Sequence, residues 1–66
     1  MNFVCNRIVQ IRVKRQLSQA KFAEKLGMKQ SQIARYELGT TLPGFRVLKR
    51  FKTVFNVDLN WLVMGD

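Results

Sequence analysis

Residues 17–39, LSQAKFAEKLGMKQSQIARYELG, constrain the fold of this chain more than any other part of its sequence. Ser18 is a typical N-cap residue, because its hydroxyl accepts a hydrogen bond from a free amide of a first helical turn. Gly27 supplies the left-handed backbone at which a helix ends and the chain reverses. Between them, three apolar residues have the spacing of a buried helical face, namely Phe22, Ala23 and Leu26. The pattern predicts two short helices, over 19–25 and 30–37.

The second of these helices has two chemically different sides. At about 100° per residue, one set of side chains falls within an arc of about 140°, and its members are Gln30, Ser31, Ala34, Arg35 and Leu38. The other side carries Ile33, Tyr36 and Glu37. Gln can pair with adenine, Arg with guanine, and the methyl of Ala34 can touch a thymine methyl. An ordinary solvent-exposed face has the same composition, so the outer side alone leaves both interpretations open.

Four residues have the spacing of a helix-turn-helix, with Gln19 opening the first helix, then Ala23, Gly27 four residues on and Ile33 six further. Over about residues 7–63 the sequence resembles the DNA-binding domains of the phage repressor and Cro type, the Xre-like group. The resemblance implies an all-α, five-helix, lambda-repressor-like domain with the helix-turn-helix in its second and third helices. The alternative is a generic αα-hairpin with a glycine turn.

The resemblance also implies a set of contacts with double-stranded DNA. Bases are read in the major groove from the third helix, through Gln30, Ser31 and Arg35, to which the chemistry of Ala34 adds a fourth residue. Gln19 matches a phosphate or base-edge contact of the family, and the free amides at the start of the second helix add Ser18. Residues around the third helix can bind further phosphates, and these are Lys29, Thr40, Thr41, Arg46 and Lys49. The family often has basic residues at positions 40 and 41, so the two threonines are a departure. For each lysine or arginine alone, a solvated surface charge is an equally good interpretation. An ion pair between Arg12 and Glu37 is expected to hold the third helix against the first.

Composition supports a polyanionic partner. The 66 residues include 12 Lys and Arg against 4 Asp and Glu, for a net charge of +8, and a protein this basic usually binds a polyanion. Charge kept for solubility is the alternative. The sequence has no His and one Cys. One Cys and a few separated acidic residues cannot form a zinc site or a usual acid–base pair. We therefore expect no enzyme, metal, cofactor or small-molecule ligand, and one domain over 1–66.

The sequence has no signal-peptide pattern and no apolar run long enough to span a membrane. The lone Cys5 fits a reducing compartment. A cytoplasmic protein without membrane contact is expected.

Three further helices are expected. The first covers about 2–15, capped by Asn2 or Asn6, and is followed by Gln16 at a left-handed position where the family usually has Gly. The fourth covers 45–55, with an inward set of Leu48, Phe51, Val54 and Phe55. Asn56 ends that helix, and Asp58 caps a last short helix that runs to about Met64.

Three functions remain open. The first is a transcriptional repressor that binds a palindromic operator as a homodimer, with Trp61 and Met64 at the dimer interface. For Trp61, folding back onto the first helix is nearly as good an interpretation. The second is an antitoxin-type module with a toxin partner, which autoregulates through DNA. The third is an architectural basic protein that binds nucleic acid without selectivity.

Overall fold

The computed structural model describes residues 3–65, and the regular secondary structure in that range is entirely helical. Its helices are α1 (Phe3–Lys14), α2 (Gln19–Leu26), α3 (Gln30–Leu38), α4 (Phe45–Phe55) and α5 (Leu59–Met64). The helix ends lie within about one residue of the positions that periodicity and capping residues predict. The proposed cap at Asn2 lies outside the described residues, and the alternative cap at Asn6 is wrong because Asn6 lies inside α1.

All these helices contribute to one apolar core. Ile8 of α1, Phe22 of α2 and Ile33 of α3 are fully buried. Phe51 of α4 and Leu62 of α5 join them. The Phe22 ring centroid lies 5.8 Å from that of Phe51. Because the core draws on every helix, the orientation of α2 and α3 is fixed by the whole fold.

One residue expected in this core lies outside it. Val54 is 43% exposed, whereas Phe51 is fully buried and Phe55 is half-buried against the core. Leu48, Phe51 and Phe55 face inward as expected, and Val47 joins them in place of Val54. Val47 and Val54 are seven positions apart and lie within about 20° of each other around the helix, so their different burial reflects their positions along the helix axis.

The helix ends follow the expected backbone chemistry. Gly27 has φ 68° and donates its amide to Glu24 O at 3.1 Å, which ends α2. Gln16 has φ 57° and Asn56 has φ 54°, so both adopt the left-handed conformation that the sequence predicts for them. A left-handed conformation costs an ordinary L-residue roughly 1–2 kcal/mol, and Gln16 adopts it in the link between α1 and α2.

Two arginines join helix ends across the fold. Arg50 of α4 donates Nη1 to Leu26 O at 3.3 Å, at the C-terminus of α2. Arg15 donates Nη2 to Phe55 O at 3.0 Å, at the C-terminus of α4. Carbonyl groups at a helix C-terminus lack intrahelical partners and carry partial negative charge, so guanidinium groups satisfy them well.

Candidate nucleic-acid interface

The N-terminus of α2 is arranged to receive an anion. Ser18 has an extended backbone, and its Oγ accepts a hydrogen bond from Lys21 N at 3.1 Å. Lys21 occupies the place where a glutamate would return a bond to the cap. The amides of Gln19 and Ala20 have no acceptor within the helix, and they point outward with partial positive charge. A phosphate group satisfies such amides.

The N-terminus of α3 is capped from inside the helix. Gln32 Oε1 accepts a hydrogen bond from Lys29 N at 3.1 Å. A lysine side chain has no acceptor atom, so only this half of a capping box is formed. Lys29 is exposed at the beginning of α3, where it adds a positive charge next to the outward-facing side chains.

The two sides of α3 separate as the periodicity predicts. Ile33 is fully buried and Tyr36 is 7% exposed. Gln30, Ser31 and Arg35 are exposed on the opposite side, with Ala34 half-buried between them. The outer side presents amide, hydroxyl and guanidinium groups together with small apolar surface. These groups can form hydrogen bonds and apolar contacts with base edges in a major groove.

A network centred on Glu37 holds α3 in place. Arg12 donates Nε to Glu37 Oε2 at 2.7 Å and Nη2 to Glu37 Oε1 at 3.2 Å. The Arg12 and Glu37 side chains are 20% and 7% exposed. Arg12 also donates Nη1 to Leu17 O at 3.0 Å. The ion pair therefore connects the end of α1, the link to α2 and the inner edge of α3.

Gln19 takes part in the same network. Its Nε2 donates to Glu37 Oε1 at 2.9 Å, which fixes the orientation of the amide. One N–H of the amide is thereby used, and its second N–H and its oxygen remain. Sequence reasoning assigned Gln19 only to DNA. The contact depends on side-chain geometry across two helices, and no local pattern in the sequence signals it.

Thr40 and Thr41 differ in what they can offer to a phosphate. Thr40 donates both its backbone amide and its hydroxyl to Arg35 O, each at 3.2 Å. These bonds close the C-terminus of α3 and use the one side-chain donor that Thr40 has. Thr41 is exposed beside it, in the connection between α3 and α4.

Arg46 and Lys49 both lie on the solvent-facing side of α4. Lys49 Nζ is 5.6 Å from the ring centroid of Phe45. They line an open depression along α4 together with Arg50 and Thr53. Arg50, which sequence reasoning did not single out, extends this basic surface toward the end of α2.

Trp61 and Met64, the two residues expected at a dimer interface, differ in how far they are buried. Trp61 is half-buried against the core, and the guanidinium carbon of Arg7 lies 5.2 Å from its ring centroid. The side chain is therefore folded against α1, as the alternative interpretation has it. Met64 is exposed. An apolar groove lies near the ends of α1 and α5, lined by Val4, Leu42, Pro43, Leu48 and Val63.

No helix within residues 3–65 is both long and apolar enough to cross a bilayer. No group of three or more potential metal-ligating side chains occurs among the same residues.

Comparison with known proteins identifies the family of this chain. A family model described as helix-turn-helix matches residues 8–62. The chain belongs to the helix-turn-helix family. This membership confirms the resemblance drawn from Gln19, Ala23, Gly27 and Ile33, the all-α class, and the interpretation of the chain as other than an enzyme.

A protein of Bacillus subtilis (strain 168) is similar to the chain. Its description is "Uncharacterized HTH-type transcriptional regulator YqaE", and it is 31% identical over 55 residues. Those residues are 83% of this chain and 47% of the relative. The chain thus spans about half the length of the curated relative that it matches.

Proposed function

We propose that this chain is a sequence-specific DNA-binding transcriptional regulator. The observation that carries the proposal is the outer side of α3, where Gln30, Ser31 and Arg35 are exposed on a helix held from behind by the Arg12–Glu37 pair. A rigid helix with exposed polar groups suits direct readout, because base contacts require fixed donors and acceptors. Family membership and the regulator name of the relative support it.

In this proposal α3 lies in the major groove and its outer side reads bases. Gln30 pairs with adenine and Arg35 with guanine, while Ser31 accepts or donates and Ala34 touches a thymine methyl. The inner residues Ile33 and Tyr36 remain in the core and make no base contact.

Phosphate groups flank this helix. The first-turn amides of α2, after the Ser18 cap, and the second N–H of Gln19 bind one phosphate. Exposed donors on either side of α3 bind others, and these are Lys29, Thr41, Arg46 and Lys49. Thr40 is left out of this set, because its hydroxyl proton is already donated to Arg35 O and a phosphate oxygen needs a donor.

The finer form of the proposal is a repressor that binds a palindromic operator as a homodimer. One α3 helix covers a half-site, and two-fold dimers of this architecture bind half-sites about 34 Å apart. The apolar groove defined by Val4, Leu42, Pro43, Leu48 and Val63 supports pairing, since contiguous apolar surface favours a protein contact. Met64 is exposed next to Val63 in sequence and joins the interface. Trp61 stays against α1.

The test distinguishes a residue that contacts bases from a residue that contacts phosphates. DNA sites are first selected from random oligonucleotides with the unaltered protein, and each variant is then titrated with the selected and a scrambled duplex at several salt concentrations. Gln30→Ala should weaken binding to the selected duplex by ~1–3 kcal/mol for each half-site and leave the scrambled duplex almost unaffected. Lys49→Ala should weaken both and lower the salt slope by about one for each lost contact.

The architectural alternative predicts a different result. A non-selective basic protein would yield no enriched site, and Gln30→Ala would weaken both duplexes equally. Either outcome would remove α3 as the reading element. Thermal unfolding of each variant serves as the control, because both side chains are exposed and their loss should leave the fold intact.

A further inference from the structure

Leu38 is an exposed leucine that neither the core nor the proposed polar contacts explain. It is the last residue of α3 and is 76% exposed, the largest value among the large apolar side chains described. It is absent from the hydrophobic residues packed against the core and from the lining of the apolar groove. Its isobutyl group therefore faces water in the isolated protein.

The position of Leu38 on α3 relates it to the reading side chains. Leu38 follows Gln30 and Ala34 at intervals of four residues, so the three lie along one stripe of the helix. Helical side chains lean toward the N-terminus of their helix, so that of Leu38 extends back over the turn that contains Ala34. Ala34 carries only a methyl group and leaves the leucine uncovered there.

The end of α3 is fixed immediately after Leu38. Gly39 adopts φ 80° and its amide bonds to Tyr36 O at 3.1 Å. Thr40 donates twice to Arg35 O. These bonds hold the last turn of the helix, so the leucine is presented in a defined direction even though its side chain is exposed.

We propose that Leu38 is a specificity-determining residue that contacts the 5-methyl group of a thymine in the major groove. This inference rests on the proposed function, since it requires α3 to lie in the groove. Thymine carries the one apolar group that protrudes into the major groove, and apolar side chains discriminate by contact with it. Leu38 and the methyl group would each leave water on binding, which favours the contact.

The experiment uses duplexes of the selected site in which one thymine at a time is replaced by uracil. This change removes the 5-methyl group and leaves the base-pairing edge and its acceptors unchanged. For the unaltered protein, one thymine in each half-site should lose about fourfold in affinity on replacement, the value expected for one buried methyl-sized group. Leu38→Ala should bind the thymine and uracil forms of that position equally.

Two further variants make the result specific to this side chain. Leu38→Met keeps an apolar group of similar length and should retain most of the thymine preference. Val13→Ala removes apolar surface from an exposed residue of α1 that lies outside α3 and outside the groove lining, and it should keep the full preference. Melting temperatures of all three variants should stay close to that of the parent, because both residues are exposed.

Two results would overturn the inference. A thymine preference that is unchanged in Leu38→Ala would assign the methyl contact to another side chain, such as Ala34. A site at which no thymine-to-uracil change affects the unaltered protein would also overturn it. In both cases the Gln30→Ala titration still decides the proposed function separately, because it measures selectivity that does not depend on the methyl group.

Discussion

Glu37 accepts three hydrogen bonds, of which two from Arg12 join the helix-turn-helix to α1 and one from Gln19 joins α3 to α2. Its side chain is almost fully buried. A buried carboxylate is strongly unfavourable unless its charge and its oxygens are satisfied, and both conditions are met here. Glu37 therefore stabilises the orientation of α3 as well as the fold.

The first stability prediction concerns this pair. Glu37→Gln keeps an oxygen acceptor but removes the charge, which leaves the Arg12 guanidinium only partly solvated and without its counter-ion. The expected cost is about 3 kcal/mol, which corresponds to a fall in melting temperature of more than about 10 °C for a domain of this size. Thermal unfolding followed by circular dichroism measures it.

Glu24→Gln is the matched control. Glu24 pairs with Lys21 at 3.5 Å, and both side chains are largely exposed. Surface pairs of this kind contribute between zero and about 1 kcal/mol, so the melting temperature should change by only a few degrees. Equal melting of the two glutamine variants would mean that the Arg12–Glu37 pair has no special stabilising role.

At the scale of helices, local patterns in the sequence predicted most of the fold. Apolar spacing predicted the number and extent of the helices. Gly27 and Asn56 marked helix ends because their left-handed conformations depend on few neighbours, whereas the left-handed position of Gln16 was expected only from the resemblance to a family that usually has Gly there. Ser18 and Asp58 were predictable as caps for the same reason, since each hydroxyl or carboxylate bonds within two or three residues.

What the sequence did not predict depends on contacts between helices. The bond from Gln19 to Glu37 spans 18 positions, and it requires α2 and α3 to cross at one particular angle. The exposure of Val54 depends on which parts of the fold lie beside the last turns of α4, since Val47 on the same side of the helix packs against the core. For Trp61, periodicity left two faces available, and the choice is made by Arg7, which stacks on its ring.

Arg7 leads to a prediction about how α5 is held. Its guanidinium carbon lies 5.4 Å from the ring centroid of Phe3 and 5.2 Å from that of Trp61, and Nη2 donates to Gly65 O at 3.1 Å. Arg7→Met keeps most of the apolar stem and removes these interactions, so α5 should loosen. We expect a loss of about 1–2 kcal/mol and a shift of Trp61 fluorescence to longer wavelength.

The emission signal is specific because the chain has one Trp. Arg46→Met serves as the control, since it makes the same chemical change on the exposed side of α4 and should leave the emission maximum unchanged. An emission maximum that stays at the parent value in Arg7→Met would contradict the role given to the arginine. Emission that changes with protein concentration would instead return Trp61 to a dimer interface.

At the scale of the whole molecule, added salt should affect DNA binding and the pairing of two chains in opposite directions. A net charge of +8 attracts DNA and repels a second copy of the chain. Added salt screens both interactions, since the Debye length falls from about 10 Å at 0.1 M to about 3 Å at 1 M. Binding to DNA should therefore weaken as salt rises, whereas pairing of two chains through the apolar groove should strengthen.

The last prediction concerns the expected increase of pairing with salt. Sedimentation velocity of the free protein at low and high salt should show a dimer fraction that increases with salt, because repulsion is screened while apolar burial is retained. Val63→Lys places a charge in the groove, where two copies would face each other across a two-fold axis, and should stay monomeric at both salt concentrations. Val63 is 42% exposed, so the monomer itself should remain folded.

Val13→Lys is the matched control for the dimer. Val13 is 57% exposed, near the end of α1 and outside the groove lining, and it receives the same added charge. Its dimer fraction should follow that of the parent, apart from a small loss from the extra repulsion. If both variants dissociate equally, net charge alone governs pairing and the groove is not the interface. If only Val63→Lys dissociates, and its affinity for a paired operator falls much more than for a single half-site, pairing through the groove is coupled to DNA binding.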